Sequence, residues 1–516
     1  MICGVQGVAQ TPLSLPVLEK VCAQPNPGSI VTNPPEFRNL DASHPVNLKA
    51  LTIKGQDCYL ANGQLVAPTL RVNPGEQTKT IVLNLTNNLS TPKKSTAMAA
   101  TTTTNDCRGG MAPLNSTSLH FHGLNVSPKC HQDEVVKTWI KPGETFEYKV
   151  EIPGKEPPGL NWYHPHVHMQ SEDQVLKGLT GVVIVEGIGK FNQRAAELPE
   201  RVFVLRDTYR ANPAVPNGPA KDISINSVPI RYLTEGQYDP PAVIQMSPNQ
   251  EQFWRVANTA ADTYFDLKVT YDDIPQKLEL VAMDGVPLNA ESGKPPKLTL
   301  VEHIALPPAG RAEFIIKAPG KGVKEAKFLT QNFDTGPEGD NDPQRTLARI
   351  EPKEVRLNAA LMASELGVDL NQVSGDRFSG LSQTKPIKER SLIFDENNPT
   401  VFYIYEKGHP KIAFRPDLPP AITVQEGTTE DWSVTNITKE VHAFHIHQIH
   451  FLVLNSPDLK EIGMLRDTLN VPPGKSVKLR MDFRGKGSSI AGTFVYHCHI
   501  LEHEDKGMMA AIQVKR

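Results

Sequence analysis

Alternation of apolar and polar residues, with no sustained three-to-four-residue period, is the dominant pattern along this chain. Such alternation predicts half-buried strands, and Pro-Gly clusters between the runs predict tight turns. The pattern also repeats. An extended segment and turn, Leu70-Arg71-Val72-Asn73-Pro74-Gly75, lead into Thr80-Ile81-Val82-Leu83-Asn84-Leu85-Thr86-Asn87. The same order returns as Gln245-Met246-Ser247-Pro248-Asn249 before Phe253-Trp254-Arg255-Val256-Ala257-Asn258, and as Thr423-Val424-Gln425-Glu426-Gly427 before Asp431-Trp432-Ser433-Val434-Thr435-Asn436. A second element follows each copy: Ile140-Lys141-Pro142-Gly143 before Phe146, Leu306-Pro307-Pro308-Ala309-Gly310 before Ala312, and Val471-Pro472-Pro473-Gly474 before Val477. Three copies predict an all-β chain of three β-sandwich domains over 40–190, 195–325 and 390–516. Residues 326–389 read as a connector with one helix, 357–366, and 90–110 as a surface loop inserted in the first domain.

A chain of 516 residues suits three or four domains at about 150 residues each, and 39% hydrophobic content suits large cores. A net charge of −3 gives no reason to expect nucleic acid or an anionic membrane as partner. No run of about 18 apolar residues is present, so no membrane span is expected. Residues 1–35 lack the basic start and long apolar core of a secretory signal. Six cysteines stand at 3, 22, 58, 107, 130 and 498. If Cys498 binds metal, an odd five remain; Cys22 with Cys58 and Cys107 with Cys130 are possible bridges, and free buried thiols are the alternative.

The chemistry concentrates in four short motifs. They are His120-Phe121-His122, Trp162-Tyr163-His164-Pro165-His166, His442-Ala443-Phe444-His445-Ile446-His447, and Tyr496-His497-Cys498-His499 running on to His503 and Met508. On a strand, histidines two apart share a face, and the residue between them points to the other. His497 and His499 therefore serve one site while Cys498 serves another. Ten of the 16 histidines fall in these motifs. A single His-x-His pair is most simply a pair of polar strand residues; four pairs, matched between the first and third repeats, argue for metal. The middle repeat has Thr263-Tyr264-Phe265-Asp266 and Phe328-Leu329-Thr330-Gln331-Asn332 at the matching places, so it reads as a spacer. Zinc favours closed tetrahedral sites of Cys and His, whereas one thiolate, two imidazoles and a weak thioether are a copper set.

These motifs resemble those of the multicopper oxidases, with Arg466-Asp467-Thr468 before Val471-Pro472-Pro473-Gly474 as a further similarity. The resemblance covers most of the chain and implies cupredoxin-like Greek-key domains and four coppers. Carried over by position, it implies a type 1 copper on His442, Cys498 and His503, with Met508 axial. It implies a type 2 copper on His120 and His445, and a type 3 pair shared by His122, His164, His166, His447, His497 and His499. Ala443 stands where the family usually has proline, a spacer position. His131, His168 and His450 have no family role and read as neighbouring or surface residues. The activity implied is oxidation of a small reductant coupled to reduction of O2 to water. Four protons are needed too, and Glu504 and Asp133 are the carboxylates best placed by sequence to carry them. Only 11 methionines are present, with Met508-Met509 the one close pair near the thiolate. That favours a laccase-like oxidase of phenols and aromatic amines over a cuprous or other metal-ion oxidase. A non-catalytic scaffold would have lost ligands, and a copper-storage protein would add Met/His tracts. By resemblance the protein is periplasmic or secreted. Oligomeric state does not follow from the sequence.

Overall fold

The computed structural model describes residues 22–38, 40–73, 77–90, 102–104, 106–288, 290–291, 298–353, 370, 373, 377–397 and 400–516. The expected helix over 357–366, Cys3 and residues 91–101 of the inserted loop lie outside the described residues.

The repeated elements form the same sheet three times. Lys79–Asn88 pairs parallel with Val46–Ile53 and antiparallel with Glu144–Ile152. Glu251–Asn258 pairs likewise with Glu200–Thr208 and Arg311–Lys317, and Thr428–Asn436 with Lys388–Glu396 and Ser476–Phe483. The facing sheet is repeated as well. Thr69–Val72 lies parallel to Gly181–Val185, followed by antiparallel Gly159–His164 and His120–His122. Its counterparts run Ala242–Met246, Arg345–Pro352, Ala326–Gln331, Phe265–Tyr271, and Ile422–Gln425, Met509–Lys515, Gly492–Cys498, His442–Ile446. Alternating inward residues of the paired sheets fill three cores, around Tyr59, Phe121 and Phe146, around Trp254, Phe265 and Phe314, and around Trp432, Phe444 and Phe494.

One asparagine closes each copy. The buried amide of Asn436 donates to the carbonyls of Glu440 and Val471 and accepts from the Thr438 N–H, at 2.7–2.8 Å. Asn258 donates to Thr263, Leu306 and Pro307, and Asn87 to Asn115 and Ile140. Each thus ties the strand end to the segments that follow.

The connector expected at 326–389 is corrected in its first part. Ala326–Gln331 and Arg345–Pro352 are strands of the middle sandwich, and the Gly336-Pro337 turn lies in the loop between them. Both bridges left open by the cysteine count form, Cys22–Cys58 and Cys107–Cys130, and Cys498 is a buried free thiol. Of the inserted loop, Thr102–Thr104 is a strand pairing parallel with Glu144–Phe146. Among the described residues no helix is long and apolar enough to cross a membrane.

Candidate metal centres

The four histidine motifs lie on paired strands. His120 is opposite His164 in the first sandwich, and His445 is opposite His497 in the third. The residues between the histidines point the other way: Phe121 enters the first core, and Phe444 and Cys498 the third. The eight imidazoles converge between the outer sandwiches, all buried. His122 stacks on His445 with centroids 4.0 Å apart, and His120 on His447 at 3.8 Å. Ring nitrogens of His166, His447 and His497 come within 4.8 Å of one another, as do those of His120, His122 and His164.

The hydrogen bonds decide which nitrogen each ring keeps free. Nδ1 of His164 donates to the Pro165 carbonyl, Nδ1 of His445 to that of Asp467 and Nδ1 of His497 to that of Cys498, at 2.8–2.9 Å. Nδ1 of His120 lies 3.0 Å from both Asp133 oxygens, and Nε2 of His122 lies 3.3 Å from Asp467 Oδ1. The opposite nitrogens of His120, His122, His164 and His445, with Nδ1 of His447 and both nitrogens of His499, are buried without a hydrogen-bond partner. Burial holds all eight rings well below the ordinary imidazole range, His164 at about 3 and His497 at about 4. Eight neutral rings in one buried space, seven of them with an unpartnered nitrogen, are costly unless a cation occupies it. The donor set therefore fits a cluster of imidazole-bound metal ions.

A second centre lies on the other face of Gly492–Cys498. Cys498 Sγ is 3.6 Å from Nδ1 of His442 and 3.8 Å from Nδ1 of His503, and the two nitrogens are 3.2 Å apart. The far nitrogens are held by Thr438 Oγ1, 2.9 Å from His442 Nε2, and by Glu440 Oε1, 3.3 Å from His503 Nε2. Met508 is buried in the same core; its N–H donates to His503 and its carbonyl accepts from Cys498. Phe402 stacks on His503 at 4.1 Å and seals the ring's outer face. His503 and Glu504 ride on a single turn of helix, Leu501–Asp505, whose first N–H groups donate to Ala261 O and Asp262 Oδ1 of the middle sandwich.

Both carboxylates singled out by sequence are at the cluster. Asp133 is fully buried; besides His120 it accepts from the Phe121 N–H at 2.9 Å and from Gln448 Nε2 at 2.5 Å. Burial pushes it up to about 7. Glu504 places its oxygens 3.1 Å from Nδ1 of His497 and 3.6 Å from Nε2 of His166, and burial drives it well above the carboxylate range. His450 is no surface residue: it is buried with Nε2 3.0 Å from the Asp284 carbonyl. His131 stacks on Phe146, and His168 meets Phe414 edge-on. Sequence reasoning gave no role to Gln448, Glu440 or Asp467. Asp467 carried a signal, its place in the Arg466-Asp467-Thr468 run.

Comparison with known proteins agrees with this geometry. Family models for multicopper oxidase match residues 111–189 and 392–516, the segments holding all four motifs. The multicopper oxidase mco of Staphylococcus aureus is 25% identical over 471 residues, covering 88% of this chain and 83% of its own. The laccase of Bacillus subtilis (strain 168) is 22% identical over 449 residues, covering 78% and 80%. Among solved structures, the multicopper oxidase from Campylobacter jejuni, described as a metallo-oxidase, matches with a TM-score of 0.65 at 23% identity, covering 96% of each chain, which shows the shared fold. With three cupredoxin-like sandwiches and two buried donor sets suited to copper, the chain is similar in fold and in both matched segments to the multicopper oxidases, copper-dependent oxidoreductases that use O2.

Proposed function

We propose that this chain is a four-copper oxidase that takes electrons singly at His442, Cys498 and His503 and spends them on dioxygen at the eight-imidazole cluster. The observation that carries this is the strand Gly492–Cys498, which presents Cys498 to one centre and His497 to the other. Bound copper would accept one electron at a time at the first centre and deliver four to O2 at the second. Met508, buried in the same core, would add a weak thioether donor to the first centre, and His120 and His445 would hold the type 2 ion. His122, His164, His166, His447, His497 and His499 would share the type 3 pair, and the close grouping of His166, His447 and His497 supports placing those three on one ion. The peptide bonds between Cys498 and its flanking histidines give the electron a covalent route. Asp133 fixes the ring of His120, and Glu504, with oxygens directed at His166 and His497, is the carboxyl placed to pass protons inward. A cleft walled by Met111, Trp139 and Phe414 reaches His166 of the cluster.

For the reductant, phenols and aromatic amines are the first reading, reaching copper through the edge of His503. A second reading, oxidation of a small metal cation, is favoured by the carboxylates at that edge. Glu440 touches His503, and its burial, with the nearby charges of Glu396, Asp340, Glu502 and Glu338 adding to it, pushes it up to about 8. Similarity to a structure described as a metallo-oxidase points the same way. Two disulfides favour an oxidising compartment, periplasmic or secreted.

The test is oxygen uptake by copper-loaded protein with 2,6-dimethoxyphenol or cuprous ion as sole reductant, repeated with Glu440→Gln. Phenol-driven uptake that survives the substitution supports the first reading. Uptake driven by cuprous ion and lost in Glu440→Gln supports the second. No uptake with either, in protein holding its copper, sinks the oxidase assignment.

A further inference from the structure

The middle sandwich carries no histidine of either centre, yet one of its side chains reaches the cluster. Arg311 opens the strand Arg311–Lys317 just after the Pro307–Gly310 turn and is fully buried. All five of its N–H donors are used. Nη1 and Nη2 grip the two oxygens of Asp467 at 2.8 and 2.6 Å, a bidentate pair. The other three donate to the carbonyls of Leu160 and Ala309 and to Asn161 Oδ1, at 3.0–3.3 Å. Leu160 and Asn161 belong to the strand that ends at His164, and Asp467 to the third sandwich. The guanidinium thus touches all three domains beside the cluster.

Asp467 is what makes this matter. Its Oδ1 lies 3.3 Å from Nε2 of His122, which comes from the first sandwich. Its carbonyl accepts from Nδ1 of His445, which comes from the third. Its Oδ2 lies 3.5 Å from Nε2 of His450. Asp467 thus bears on two cluster histidines on opposite sides of the domain interface, on His122 through its carboxylate and on His445 through its backbone carbonyl, and the carboxylate's part works only if its own rotamer is fixed. Thr468 Oγ1 donates to Oδ1 at 2.8 Å, but the fork of Arg311 fixes both oxygens at once. The backbone is shaped to admit it: Gly123, at φ +91°, adjoins His122, and a Cβ there would collide with Nη2 of Arg311 and Oδ1 of Asn161. The Arg311 N–H in turn donates to Asp284 Oδ1, whose other oxygen accepts from Arg466 at 2.6 Å, so the lattice of charges continues into the Arg466-Asp467-Thr468 run.

We infer that Arg311 is a positioning residue for the copper cluster: the middle domain, through its grip on Asp467, orients His122 and His445 across the interface. The inference rests on the cluster holding copper as proposed above. Lysine offers one point charge and no planar fork, so Arg311→Lys should not substitute for it.

The experiment compares full-length, copper-loaded wild type with Arg311→Lys, Arg311→Gln, Asp467→Asn and the Arg311→Gln/Asp467→Asn double variant. The readouts are copper retained against a chelator, the paramagnetic resonance signal of the type 2 ion, and the blue thiolate absorption of the Cys498 centre. The expected result is cluster copper held about 10- to 100-fold more weakly with a changed type 2 signal. The blue absorption should be unchanged, and the double variant no worse than the worse single one. A general loss of structure would weaken both centres together, and that pattern would overturn the inference. Wild-type copper retention and type 2 signal in the Arg311 variants would overturn it too. If they fail to fold, Asp467→Asn alone, which preserves shape, must reproduce the cluster defect or the inference falls. Wild type that never fills the cluster would instead sink the proposed function.

Discussion

Replacing Asp133 with asparagine isolates a single charge at the cluster without changing shape. The carboxylate accepts from the Phe121 N–H and from Gln448 Nε2, and its two oxygens straddle Nδ1 of His120. With both oxygens as acceptors, His120 keeps its proton on Nδ1 and its lone pair on Nε2, the nitrogen that lies buried without a partner. Asparagine puts an NH2 group in place of one oxygen. That group either faces the Gln448 amide, donor against donor, or donates to Nδ1 of His120 and drives the ring proton to Nε2, where it blocks a metal. A hydrogen bond to a charged acceptor contributes about 1.5–3 kcal/mol. Losing an outer partner of a metal-bound histidine typically weakens the metal by about 10- to 100-fold, or about 1.4–2.7 kcal/mol at 1.36 kcal/mol per decade. The two routes agree, so Asp133→Asn should lose type 2 copper to a chelator at a concentration about 10- to 100-fold lower than wild type does. Oxygen uptake should fall with it, while the blue centre, across the strand from this ring, should persist. Asp133→Asn protein that keeps all its copper at wild-type chelator concentrations would refute the tautomer argument.

Two further outcomes follow from the same structure. Asn436→Ala removes an amide with partners at Glu440, Val471 and Thr438, and about three lost bonds near 1 kcal/mol each predict a loss of about 3 kcal/mol. Asn258→Ala should cost as much in denaturant midpoint, but only Asn436→Ala should shift the blue absorption, because its loop holds Thr438 against His442; equal spectra in the two variants would contradict this. Asp57 is buried in the first sandwich, and that burial raises it from 3.8 to about 6. A folded carboxyl that binds its proton more tightly than the unfolded one is destabilising once ionised, so the penalty is absent below about pH 4 and complete above about pH 6, at most about 3 kcal/mol. Asp57→Asn should therefore be more stable than wild type in urea at pH 8, with the gap closing at pH 4; an unchanged gap would show that the carboxyl is not responsible.

What the sequence made legible is what a strand encodes locally. Period-two spacing put His120 with His122, and His497 with His499, on shared faces and sent Cys498 the other way, and the strands carry them so. The triple repeat was visible because each copy keeps its alternating strand, its Pro-Gly turn and its closing asparagine. The boundary at 325 was misread for a local reason as well: Gly336-Pro337 is a turn signal, and a turn within a sheet looks like a turn between domains. That loop is no linker. Phe333 stacks on Tyr264 at 4.5 Å, and the Thr335 carbonyl accepts from the Val441 N–H, one residue before His442.

The contacts that aim the ligands were not legible, because their partners are far apart in the chain. Gln448 meets Asp133 across 315 residues and Arg311 meets Asp467 across 156. Spacing carries no trace of such pairs, and neither a glutamine in a bend nor an arginine on a strand is unusual. They nevertheless change how the middle sandwich is understood. It supplies no ligand, but Ala261 and Asp262 satisfy the first N–H groups of the helix bearing His503, and Arg311 fixes the carboxylate beside His122 and His445. Each outer domain contributes four imidazoles to the cluster, so neither holds the cluster alone. Their relative placement is set by direct contacts such as Gln448 with Asp133 and, beside them, where the middle domain touches both. Copper binding and three-domain docking are then one equilibrium: whatever loosens the middle domain should release copper, and copper should stabilise the docked chain.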